Sequence, residues 1–231
     1  MKIFGSSLLV SAALLLSARA DLTIVQKVEG LGPVSEMTIR IKGDKVKVDA
    51  TPQVTSIIDG KTGEMLNLMN EQKKFTRISA ERAKAVAEMA QKFSDNQKPA
   101  EKPKLTPTGK KQTINGNETE EYVCETPDFK ARYWIATKYP EGAAILRQLQ
   151  AMNPEAWGAQ TKGLPDYRSF PGVPIKTIVS MKGQEITTTL TSIKQDPIGA
   201  AEFSVPPGYT EMPMPDFMTA PPAAASPSPK P

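Results

Sequence analysis

The sequence predicts an α+β fold built on an antiparallel sheet with its helices gathered on one face. Three observations lead there. Short β-branched and apolar runs separated by glycine turns fill residues 22–78 and recur over 112–137 and 175–193. Two amphipathic helical patterns interrupt them, at 79–93 and 140–152. Strands that follow one another through tight turns pair antiparallel, and helices set between blocks of strands, rather than alternating with them, mark α+β domains.

Residues 1–20 read as a cleavable secretory signal peptide: Lys2, an apolar run from Ile3 to Leu16, then Ser17-Ala18-Arg19-Ala20 with small residues at the cleavage positions. The run is broken by Ser6, Ser7 and Ser11 and ends at Arg19, which argues against a permanent membrane anchor. No cysteine follows it, so the expected mature chain, from Asp21, is soluble, carries no acyl anchor, and works in the periplasm or outside the cell. Removing residues 1–20 takes away Lys2 and Arg19 and no acidic residue, leaving 27 basic against 25 acidic residues and a net charge of +2. A charge so small and so dispersed gives no basic face for nucleic acid. The rest is sized for one domain, 21–211, followed by a tail. Cys124 is the single cysteine, so no intrachain disulfide forms, and its place in Tyr122-Val123-Cys124 predicts a small buried hydrophobe.

The first strand is expected over Leu22 to Val28, turned by Gly30-Leu31-Gly32-Pro33. In the second, Val34 to Lys42, Met37, Ile39 and Ile41 share one face while Glu36, Thr38, Arg40 and Lys42 share the other. Gly43-Asp44 makes a two-residue hairpin into Lys45 to Ala50, where Val46 and Val48 alternate with charged residues. Val54 to Ile58, the Asp59-Gly60 turn, Met65 to Met69 and Phe75 to Ile78 complete a meander. Ser79 is placed to cap a helix whose apolar positions are Ala83, Val86, Ala87, Ala90 and Phe93, with Glu81 in its first turn.

Residues 96–111 hold Pro99, Pro103 and Pro107 and read as an exposed connection without regular structure, either a solvated linker or a binding loop. Strands return at Gln112 to Ile114, turn through Asn115-Gly116-Asn117, and continue as Glu120 to Glu125 and Ala131 to Thr137. Pro140 suits the first position of a second helix with the stripe Ile145, Leu146, Leu149 and Met152. Residues 154–168 give no assignable pattern. Ile175 to Met181 and Glu185 to Ile193 form the last hairpin, and residues 212–231, rich in Pro and Ala, read as a disordered tail.

The chain contains no histidine, which removes histidine triads, histidine general bases and imidazole metal ligands. One cysteine excludes thiolate zinc sites. Glu118, Glu120, Glu121, Glu125 and Asp128 form the densest acidic stretch, and alternate solvent exposure along a strand accounts for them without a catalytic pair. Asp44, Asp49 and Asp59 lack calcium-loop spacing, and the serines stand in neither Gly-x-Ser-x-Gly nor Ser-x-x-Lys. Asn117-Glu118-Thr119 matches a glycosylation acceptor, a modification that depends on the host. Neither a cofactor nor a metal is expected, and the protein reads as non-enzymatic.

Three segments carry a resemblance: Ile57-Ile58-Asp59-Gly60, Pro171-Gly172-Val173-Pro174-Ile175-Lys176, and Phe203-Ser204-Val205-Pro206-Pro207-Gly208-Tyr209. With the hairpin-rich start, they make the chain resemble a bacterial exported family labelled only as a domain of unknown function. That family is itself similar to the lipoprotein-carrier and lipoprotein-localisation half-barrel superfamily. The resemblance implies a curved antiparallel sheet, a half-barrel, whose concave face is apolar and covered by helices; in carrier relatives the cavity receives acyl chains. Here the lining would be Met37, Ile39, Ile41, Val46 and Val48 from the sheet and Val86, Met89, Ala90, Leu146 and Leu149 from the helices, holding a lipid or lipoprotein acyl chain. The alternative is an envelope structural or interaction module in which the Pro-rich tail contacts a protein partner.

Overall fold

The computed structural model describes residues 20–30, 32–85, 104–126, 129–150, 166–181 and 183–213. They form one twelve-stranded sheet with two α-helices. The strands are β1 (Leu22–Glu29), β2 (Ser35–Lys42), β3 (Lys45–Thr51), β4 (Val54–Asp59), β5 (Met65–Met69), β6 (Lys74–Ile78), β7 (Thr106–Ile114), β8 (Asn117–Thr126), β9 (Phe129–Ala136), β10 (Val173–Met181), β11 (Gln184–Lys194) and β12 (Thr210–Glu211). Helix α1 follows β6 and is described over 80–85, and α2 spans Gly142–Leu149.

The sheet is curved and unclosed, in the order β12-β6-β5-β4-β3-β2-β1-β11-β10-β9-β8-β7. Two meanders, β1 to β6 and β7 to β11, are joined where β1 pairs with β11. Every pairing is antiparallel except that of β12 with β6. The α+β expectation therefore holds in its sheet and is corrected in its balance. The molecule is sheet-dominated, and of the expected helical cover α2 is the part described, packed against β10.

Cross-strand register explains the core. Ile24 opposes Ile39 and Ile39 opposes Val48, while Leu22 opposes Ile41, Ile41 opposes Val46 and Val46 opposes Ile58. These rows put apolar side chains on one inner face, where they join Cys124, Ala131, Tyr133 and Ile135 of β8 and β9 and Ile145, Leu146 and Leu149 of α2 in one buried cluster. The alternating period of two read from β2 and β3 is the cause.

The opposite face carries a second, smaller core. Ile57, Leu68 and Phe75 point there from β4, β5 and β6, and Phe203 covers them with Ile198, Val205 and Tyr209. The segment after β11 thus packs back across the outer face, through a 3-10 turn at Ala200–Phe203, and ends as β12 beside β6. Sequence reading stopped at the Phe203 to Tyr209 motif and did not foresee this strand.

Three boundaries differ for identifiable reasons. Strand β7 begins at Thr106, inside the stretch expected to be irregular, and includes Pro107. It is the last strand of the sheet, where a residue without N–H is tolerated, and its register slips between Pro107 and Lys111. Helix α2 starts at Gly142 and not at Pro140, because Glu141 takes a left-handed conformation at φ 53° and the Gly142 N–H bonds to the Tyr139 carbonyl. Within 154–168, residues Tyr167–Ser169 form a 3-10 turn capped by the Asp166 carboxylate, which accepts from the Arg168 N–H at 2.8 Å. Residues 1–19, 86–103, 151–165 and 214–231 lie outside the described residues, and with them most of the signal-peptide and tail readings, Phe93 and Met152.

Candidate functional site

Seven of the ten expected lining residues come together. Ile39, Ile41 and Val46 are 2%, 1% and 0% exposed, Leu146 and Leu149 are buried from the helix side, and Met37 and Val48 stand partly buried at the margin of the same cluster. Val86, Met89 and Ala90 lie outside the described residues. Met37 faces Gln26 across the β1–β2 ladder, one row beyond Ile39 and Ile24, so the inner face turns from apolar to polar at that row. Met65 continues the margin on β5, beside Ile58 and opposite Ile78.

A cleft of about 470 Å³ opens elsewhere, between the β7–β8 turn, the loop into α2 and the end of β11. Asn115, Asn117, Tyr139, Glu141, Thr191 and Gln195 give it a polar rim, and Ile145, Leu190 and Ile193 an apolar wall. None of the ten expected residues lines it. Asn115 and Gly116, both with positive φ, make the turn that Asn-Gly announces. Asn115 Nδ2 then donates to the Leu190 carbonyl at 2.8 Å, a contact across 75 residues that local pattern cannot signal.

Ionisable groups near the core are held neutral or clamped. Burial raises the Cys124 thiol, and burial, with smaller contributions from Tyr167 and Cys124, drives the Tyr133 hydroxyl far above its usual range. The Tyr133 ring meets Phe170 edge-on at 5.1 Å. Burial, and then the charge and hydrogen bonding of Glu120, raise Tyr122. The acidic stretch departs from simple solvent alternation at one point: Glu121 is 3% exposed, accepting from Thr108 Oγ1 at 2.9 Å and lying 3.3 Å from Lys110 Nζ. The irregular register of edge strand β7 brings both partners over it, a device visible only once β7 is known to continue past Pro107. Among the described residues no group of three or more Cys, Asp or Glu side chains could hold a metal ion. The seven described residues of the expected lining thus belong to a buried apolar cluster or its partly buried margin.

A family model, the domain of unknown function DUF4412, matches residues 23–209. The chain belongs to that family. No curated protein matches the sequence. Among solved structures the DUF4412 domain is similar to lipoprotein LppX of Mycobacterium tuberculosis, at 10% identity over 78% of this chain and 88% of that one, with a TM-score of 0.40. It is also similar to PNGF-II, at 15% identity over 83% of this chain, with a TM-score of 0.38. The chain spans 31% of the length of PNGF-II. A further similarity is to MucB solved in complex with MucA(peri), at 12% identity over 83% of this chain and 57% of that one, TM-score 0.34. No helix among the described residues is long and apolar enough to cross a membrane.

Proposed function

We propose that this DUF4412 protein is an exported, non-enzymatic binding protein that holds a hydrophobic ligand, a lipid or lipoprotein acyl chain, against the inner face of its sheet. One observation carries the reading. The inner face carries one continuous apolar cluster from Ile58 on β4 to Cys124 on β8, and the apolar side chains only partly buried against it include Met37, Val48 and Met65. Methionine is unbranched and polarizable, so such a margin adapts to chains of varied shape. Export rests on the signal-peptide pattern of residues 1–20, which implies a periplasmic or secreted location. The neutral Cys124 and Tyr133 and the absence of histidine leave the site suited to holding rather than transforming its ligand. Native mass spectrometry of protein purified from its own envelope is expected to reveal a co-purifying lipid, and purified apo protein is expected to bind acyl probes. An apo mass together with no probe binding would end this reading.

A further inference from the structure

Arg82 stands in α1, whose start is fixed by Ser79: the Arg82 main-chain N–H donates to Ser79 Oγ at 3.3 Å, and the Ala83 N–H to the Ser79 carbonyl at 2.9 Å. Its guanidinium is unusual. Nε and Nη2 are both buried, and both lack a hydrogen-bond partner among the described residues. Buried donors without acceptors are rare because burial removes water and supplies nothing in return, and the penalty is larger for a charged group. No carboxylate among the described residues partners these two nitrogens. Glu64 and Glu211 are both engaged by Arg77, and Glu81 is exposed.

The two orphaned nitrogens share one edge of a planar group. That edge offers two parallel N–H bonds, the geometry that meets two oxygens of a single carboxylate or phosphate. Helix α1 leaves β6 directly after Ile78, Ile78 opposes Met65, and Met65 packs at the margin of the inner apolar cluster. We infer that the Nε–Nη2 edge of Arg82 is an oxyanion site that receives the carboxylate or phosphate head of the ligand whose chain lies on the inner face. The chain part of this inference rests on the binding function proposed above; the oxyanion part rests on Arg82 alone.

The test is a titration of the purified, full mature chain with four probes: a long-chain fatty acid, the alcohol of equal chain length, a lysophosphatidic acid of that chain length, and inorganic phosphate. Wild-type protein is expected to bind the acid and the phosphate-headed chain about tenfold or more tighter than the alcohol, as two charge-assisted hydrogen bonds imply. Arg82→Met, checked for folding by a thermal melt, should lose that preference and keep the alcohol's affinity, while Arg82→Lys recovers part of it. Preference for the acid or the phosphate-headed chain identifies which head the site takes. Arg82-dependent binding of inorganic phosphate with no binding of any chain would support the oxyanion site and overturn the lipid reading. Equal affinity for acid and alcohol in wild type, or a folded Arg82→Met protein that still prefers anionic heads, would overturn the oxyanion site and leave the lipid reading standing. Binding of none of the four overturns both.

Discussion

Asp21 Oδ2 accepts the main-chain N–H of Ile198 at 2.7 Å and the ammonium of Lys42 at 2.6 Å, tying the first residue of the expected mature chain to the segment that crosses the outer face. Burial alone would raise this carboxyl, but the hydrogen bonds from Lys42 and Ile198 and the Lys42 charge outweigh it and hold it below its usual value of 3.8. A carboxyl whose folded value is depressed contributes stability that is complete above the unfolded value and is lost as pH falls through the folded one. Asp21→Asn is therefore expected to cost about 2 kcal/mol at neutral pH, the scale of charge-assisted hydrogen bonds. The gap between variant and wild type should be full above about pH 4 and close as acid is added below it. Urea denaturation of both proteins across that range measures it; a gap independent of pH would remove the carboxylate from the explanation.

The outer core makes a second prediction. Phe203 is 4% exposed against Ile57, Leu68 and Phe75, and Tyr209, just before β12, donates its hydroxyl to Asn70 Oδ1 at 3.0 Å. Phe203→Ala should destabilise the domain by about 3 to 5 kcal/mol, the usual cost of emptying a buried aromatic site. Truncation after Gly199 should cost at least as much, since it also removes Val205, Tyr209, β12 and the Glu202 partner of Lys47. Denaturant midpoints compared with wild type decide it, and an unchanged midpoint for the truncation would show that the outer face does not need its cover.

Cys124 supplies a probe of the inner core. Its side chain is 0% exposed and burial raises its thiol, so little thiolate forms at neutral pH and no reagent can reach it in the folded state. Alkylation is expected to follow global unfolding and to accelerate in step with added denaturant. Stoichiometric labelling of native protein within seconds would mean that β8 and β9 open locally.

What the sequence allowed and what it hid divide along the range of the interactions. Strands β1 to β6 were readable because alternation in Met37-Thr38-Ile39-Arg40-Ile41 and turns such as Gly43-Asp44 are local signals. The stripe Ile145, Leu146, Leu149 likewise located α2, although the left-handed Glu141 moved its start. The strand at Pro107 was hidden because proline opposes pairing everywhere except at an edge, and which strand is the edge is set by the strand order of the whole sheet. Cover of the outer face by Phe203, the clamp on Glu121 and the bond from Asn115 to Leu190 are all contacts between distant segments. Residue types announce none of them. That Met37, Ile39, Ile41, Val46 and Val48 share one face could be read in advance from strand alternation, whereas the Arg82 edge could not, since an arginine on a predicted helix looks solvent-facing until its nitrogens are found buried.

The inner face can be probed with two substitutions on one strand. Ile39 is 2% exposed between Ile24 and Val48, so Ile39→Glu puts a carboxylate among apolar neighbours at a penalty of several kcal/mol and is expected to unfold the domain. Met37, on the same face two residues earlier, is partly buried and opposes Gln26, so Met37→Glu has a polar neighbour and a path to water. That variant should stay folded with a melting temperature within a few degrees of wild type, a shift of about 1 kcal/mol or less. If an acyl chain lies along the margin formed by Met37, Val48 and Met65, the same variant should lose acyl-probe binding by about tenfold or more, because a carboxylate at the contact must be desolvated to admit the chain. A folded Met37→Glu protein that binds the probe as wild type does would move the ligand away from β2, toward the cleft walled by Ile145, Leu190 and Ile193.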